Sequence, residues 1–163
     1  MMTTRTHETE ITVDQDVPLV RITRDFDAPP EKVFRAHTDP DLVTQWLGPR
    51  RLEMRIDHYD CRTGGSYRYV HAADGHEFGF HGCFHEVRPA ELIVQTFTFE
   101  GVPDEVALER IAFTDLGDGR TRLTSTSLVD SFAARDAFVA SGMETGVREG
   151  YERLDEVLAA GAA

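Results

Sequence analysis

Apolar and polar positions along this chain change period twice, and the two changes mark out its architecture. In "VPLVRITRDFDAPP", Val20, Ile22, Arg24 and Phe26 share one face and Asp27 to Pro30 end the run, which predicts a strand followed by a proline-started helix. "PEKVFRAHTD" and "PDLVTQWLG" read as two short helices. Val33, Phe34 and His37 lie on one side of the first, and Asp39 and Pro40 cap and open the second. From 51 to 129 the period is two: Leu52, Met54 and Ile56 alternate with charged neighbours, and "ADG" at 73–75 and "GDG" at 117–119 mark tight turns. Six strands in series, added to the first, predict an α+β fold with a seven-stranded antiparallel sheet and two short helices between strands 1 and 2. Residues 1–16 are polar and aperiodic, and are expected to form a flexible tail ahead of a single domain over 17–160.

Beyond Ser131 the period returns to that of a helix. "FAARDAFVA" predicts a short one, and Ser141 and Glu144 have the spacing of a capping box for a last helix from about 142 to about 159, on the order of 27 Å long. Met143, Val147, Tyr151, Leu154, Val157 and Leu158 form its apolar stripe. Gly146 and Gly150 fall inside that stripe and Gly142 at its edge, although each glycine in a helix interior costs roughly 1 kcal/mol relative to alanine. Two readings follow. The glycines let the helix backbone approach another element closely, or they leave a hollow between helix and sheet for a ligand.

The strand positions expected to face that helix are rich in aromatics: Met54, Tyr67, Tyr69, Phe78, Phe80, Phe84, Phe97, Phe99, Ile111 and Phe113. Tyrosine hydroxyls on such a wall suit an apolar guest that needs one or two hydrogen bonds. The candidate ligand-binding set is therefore Trp46, Met54, Tyr67, Tyr69, Phe80, Phe84, Phe97, Ile111, Phe113, Met143, Gly146, Val147, Gly150 and Tyr151. Trp46 either closes the mouth of the hollow or is an ordinary core aromatic.

Two charged residues share the inward parity, Arg24 with Ile22 and Phe26, and Glu109 with Ile111 and Phe113. A buried charge must find a partner or change protonation state, so Glu109 and Arg24 are the candidates for a ligand anchor or general acid/base, unless strand ends or bulges turn them to water. In "HGCFH", His81, Cys83 and His85 alternate along one strand, which separates the two histidines by roughly 13 Å, too far to share one ion, and predicts outward polar residues and no metal site. Ser125 and Ser127 lie outside any nucleophile elbow, and no phosphate-cradling glycine motif is present, so no cofactor is indicated.

"ITRDFDAPPEKVFRAHTDPDLVTQWLGP", "RTGGSYRYV", "FHGCFHEVRPAELIVQTFTFEG", "FTDLGDGRTRLTSTS" and "SGMETGVREGYERLDEVLA" occur in the order that resembles the START-like (SRPBCC) superfamily. More narrowly they resemble its branch named after the activator of the heat-shock protein 90 ATPase. The resemblance covers residues 17 to about 160. It implies a helix-grip fold, a curved sheet wrapped around a long C-terminal helix, enclosing a cavity for a lipid, polyketide or other apolar molecule. It also implies alternatives to a binding protein: a polyketide cyclase or hydrolase-type enzyme in the same cavity, or a chaperone-interacting module.

Charge narrows the partners. With 17 Lys+Arg against 29 Asp+Glu and a net charge of -12, neither nucleic acid nor an anionic membrane is an expected partner. Two cysteines and no secretory pattern in "MMTTRTHETE" lead us to expect a cytoplasmic protein with reduced thiols. A homodimer is one option for its assembly, with no feature of the chain selecting it.

Overall fold

Period-two alternation becomes a single antiparallel sheet in the computed structural model, which describes residues 7–161. Its strands are β1 (Glu10–Val13), β2 (Leu19–Phe26), β3 (Glu53–Tyr59), β4 (Ser66–Ala73), β5 (His76–Arg88), β6 (Leu92–Phe99), β7 (Ala107–Gly117) and β8 (Arg120–Leu128). The order across the sheet is β1-β2-β8-β7-β6-β5-β4-β3. Strands β3 to β8 follow one another through short turns, whereas β2 pairs with β8, so helices α1 (Pro30–Thr38) and α2 (Pro40–Val43) carry the chain from β2 to the far edge. Asp74 and Gly75, the two residues between β4 and β5, both have positive φ, as a tight hairpin turn requires.

The sheet has eight strands where the alternation predicts seven. The extra one, β1, lies within the 1–16 segment read as a loose tail, and residues 1–6 of that segment fall outside the described residues. Four residues are too few for a periodic signal, and an edge strand needs a partner on only one side. Ile11 opposite Ile22 and packed against the core is enough to hold it.

Two helices close the chain, α3 (Phe132–Ala140) and α4 (Met143–Ala159). Ser131 caps α3 by accepting from the Ala134 N–H at 3.0 Å. The expected Ser141–Glu144 capping box does not form. Ser141 ends α3, its Oγ donating to the Phe138 carbonyl at 2.6 Å, and Gly142 starts α4 with φ of +88°, a left-handed turn that only glycine takes without strain. Only Ser141 and Gly142 separate the two helices, so the serine completes the first and does not cap the second.

Helix α4 lies in the curve of the sheet. Leu154, Tyr151 and Val157 are buried against it, with the Phe26 ring edge-on to Tyr151 at 5.4 Å. Phe26, Val33, Ala36, Phe84, Ile93 and Leu123 are almost wholly buried around them. Each large side chain there contributes roughly 1.5–3 kcal/mol by leaving water.

Candidate functional site

Cross-strand register builds the concave face in rows. Arg24, Leu123 and Phe113 form one row, Ile22, Ser125, Ile111 and Ile93 the next, and Val20, Ser127, Glu109 and Gln95 the third. Phe97 and Ala107 pair on the far side of Glu109. The two charges that sequence parity turns inward are therefore both inward, two rows apart.

Their surroundings differ. Arg24 is 3% exposed, and its guanidinium makes a two-pronged ion pair with Asp155 of α4, both contacts 2.6 Å, while lying 4.7 Å above the Phe26 ring. It ties helix to sheet and does not reach Glu109. Glu109 is half-buried and has no cationic partner among the described residues. Its Oε1 accepts from the Gln95 amide at 3.0 Å and its Oε2 from the Ser127 hydroxyl at 2.6 Å. Burial pushes its pKa up, and these two hydrogen bonds pull it down without cancelling that effect. Sequence reasoning missed Gln95 and Ser127 as its partners, although both are polar residues on the inward parity of their strands.

Tyrosines surround this acid. The Tyr67 hydroxyl donates to the Thr96 carbonyl at 2.6 Å. Tyr69 and Tyr151 are 6% and 8% exposed; neither hydroxyl is hydrogen-bonded to another described residue, and neither is among the buried polar atoms left without a partner, so both keep contact with solvent. Burial first, and the negative charge of Glu109 second, raise the pKa of both, so each remains a neutral hydroxyl.

The candidate ligand-binding residues fall into two groups. Trp46, Tyr67, Tyr69, Phe84, Phe113, Gly150 and Tyr151 are buried. Trp46 is a core aromatic: its indole N–H donates to the Ala36 carbonyl at 2.8 Å and its rings stack on Tyr151. Met54, Phe80, Phe97, Ile111, Met143, Gly146 and Val147 are only half-buried, although all but Gly146 are apolar side chains packed against the core. Phe80 stacks on Tyr69 and on Phe97, at 5.3 and 5.4 Å between ring centres, so the half-buried group continues from the buried one.

The three regularly spaced glycines turn out to have three separate causes. Gly142 makes the turn between helices. A side chain at Gly146 would meet only the Pro49 ring, at 3.4 Å. At Gly150 a Cβ would stand 3.1 Å from the Trp46 carbonyl oxygen and 3.3 Å from the Gly48 nitrogen. Close packing, and not a hollow, explains Gly150, because the 46–48 backbone fills the space that its missing side chain leaves.

Elsewhere, His81 and Cys83 are exposed on the outer face, with His81 Nδ1 2.8 Å from the Glu100 carboxylate, and no three metal-ligating side chains cluster among the described residues. An open, charged groove of about 310 Å³ lies beside them, lined by Arg68, Glu77 and Glu100, and a second of about 540 Å³ runs along the β4–β5 turn. Neither is lined by the candidate ligand-binding residues. No helix among the described residues is long and apolar enough to cross a membrane.

Residues 27–159 match the family described as Activator of Hsp90 ATPase homolog 1-like protein. A crystal structure of a protein from Rhodobacter sphaeroides is 28% identical, with a TM-score of 0.83 over 93% of this chain and 98% of that one. One from Chromobacterium violaceum is 27% identical, with a TM-score of 0.74 over 85% of this chain and 96% of that one. DynU16, a protein from the dynemicin biosynthetic locus, shares the fold at 24% identity and a TM-score of 0.65, over 88% of this chain and 48% of its own. No curated protein matches the chain.

Proposed function

The chain belongs to the Activator of Hsp90 ATPase homolog 1-like family, with a START-like α+β fold, and we propose that within it this protein binds a small, largely apolar molecule against the concave face of the sheet. One observation carries the reading. Met54, Phe80, Phe97, Ile111, Met143 and Val147 point into the curve of the sheet or toward it from α4, where a filled core would hide them, yet they remain half-buried. An apolar surface that is recessed but uncovered lowers its free energy by taking up an apolar guest, at roughly 25 cal/mol for each Å² covered. The free hydroxyls of Tyr69 and Tyr151 supply orientation. The site differs from the one that the glycines imply, since Gly150 is occupied by backbone and the open surface lies toward β5–β7 and the first turns of α4. Both cysteines, Cys61 and Cys83, are free thiols, which supports a reducing, cytoplasmic location.

The neutral dye N-phenyl-1-naphthylamine tests this. Its fluorescence should rise with saturable one-to-one stoichiometry, and Val147→Trp, which adds bulk at the open surface, should weaken binding at least tenfold while the circular dichroism spectrum is retained. Absence of saturable binding, or binding indifferent to Val147→Trp, refutes the reading.

A further inference from the structure

Resting on that reading, we propose that the molecule bound at the concave face is a hydrophobic cation, an apolar amine whose ammonium group pairs with Glu109 among the surrounding aromatic rings. The argument starts from what Glu109 lacks. It stands in the middle of the sheet, between the Ile111 and Phe97 rows, with one hydrogen-bond donor on each carboxyl oxygen and no positive side chain in reach among the described residues. Both donors, the Gln95 amide and the Ser127 hydroxyl, suit a carboxylate, while partial burial opposes its charge. A carboxylate held ready by donors but denied a counter-ion is stabilised by a ligand that brings one.

The protein's other groups do not supply that charge. Arg24, the inward cation of β2, is committed to Asp155. The titratable neighbours that sense Glu109 from β4 and α4 are Tyr67, Tyr69 and Tyr151, all neutral. These rings, with Phe80 and Phe97 beyond them, offer negative faces to a cation, and a desolvated contact of that kind is worth more than one in water. The free Tyr69 and Tyr151 hydroxyls can each accept a hydrogen bond from an ammonium. A net charge of -12 also draws cations toward the molecule and repels fatty-acid-like anions.

Three ligands of one skeleton separate the terms: 4-phenylbutylamine, 4-phenylbutanol and 4-phenylbutyrate, each measured by displacement of N-phenyl-1-naphthylamine from the full chain. The amine should bind at least tenfold more tightly than the alcohol, and the carboxylate most weakly. The preference of amine over alcohol should grow as pH rises and Glu109 ionises, and should fall to about one in Glu109→Gln, which keeps the shape of the side chain. Should that variant not fold, the order of the three ligands on the wild-type protein decides alone. An alcohol that binds as tightly as the amine, an amine that fails to displace the bound dye, or a preference that survives Glu109→Gln overturns the proposal while leaving the binding site standing. Failure of the dye itself to bind removes the site and the proposal together.

Discussion

Replacing Gly146 and Gly150 by alanine, one at a time, should change stability in opposite directions, although the two residues sit one turn apart on the same helix face. Alanine in a helix interior is favoured over glycine by about 1 kcal/mol. At Gly146 that gain is kept, because the new methyl meets only the edge of the Pro49 ring at 3.4 Å, an ordinary contact. At Gly150 the methyl meets the Trp46 carbonyl oxygen at 3.1 Å and the Gly48 nitrogen at 3.3 Å, so either helix or loop must yield by a few tenths of an ångström. The loop cannot retreat. Trp46 is anchored to Ala36 by its indole N–H and stacked on Tyr151, and behind Gly48 lies His71, whose ring would be 2.5 Å from a Cβ there. Overpacking of this kind typically costs about 1–3 kcal/mol.

The net expectation is about 1 kcal/mol of stabilisation for Gly146→Ala and about 1 kcal/mol of destabilisation for Gly150→Ala. For a domain of this length each corresponds to roughly 2–4 °C in Tm. Scanning calorimetry of the two variants and the wild type resolves that difference, and urea denaturation supplies the free energies. Equal stabilisation by both alanines would refute the close approach of α4 to the 46–48 backbone. It would reopen Gly150 as part of a hollow.

Two further outcomes follow from buried polar groups. His37, whose Nδ1 is 2.7 Å from the Val33 carbonyl, and His71, whose Nδ1 has no partner, are both held at about 4 by burial against an ordinary 6.5. The unfolded chain takes up these protons first, so stability is complete above pH 6.5 and is lost as pH falls toward 4, by up to about 3 kcal/mol for each histidine. Urea midpoints between pH 7.5 and 4.5 measure the loss, and a resonance assigned to His37 or His71 that titrates near 6.5 in the folded protein would contradict it. Asp155→Ala leaves the Arg24 guanidinium buried and unpaired, and should cost about 2 kcal/mol, reduced from the fully buried case because Asp155 is partly exposed. Arg24→Met, which removes the charge along with its need for a partner, should cost less in the same urea assay, and the reverse order would exclude the buried ion pair as the cause.

What the sequence determined by itself was everything set by neighbours along the chain. Alternation placed Ile22, Tyr69, Phe97 and Phe113 on one face because a strand offers only two faces, and the same parity turned Arg24 and Glu109 inward. Turn residues at 74–75 and 117–119 fixed hairpins whose backbone takes positive φ. Only the tertiary structure decided which inward charge is satisfied, since Asp155 lies 131 residues from Arg24, and nothing local distinguishes it from the other acids of α4. The same holds for the glycines: identical spacing conceals a turn at 142, an ordinary contact at 146 and a backbone approach at 150, because what stands opposite a helix is set by packing. Glu109 completes the contrast. Its parity was legible, but its want of a counter-charge arises from the residues that three strands and a helix bring around it, and those meet only in the folded chain.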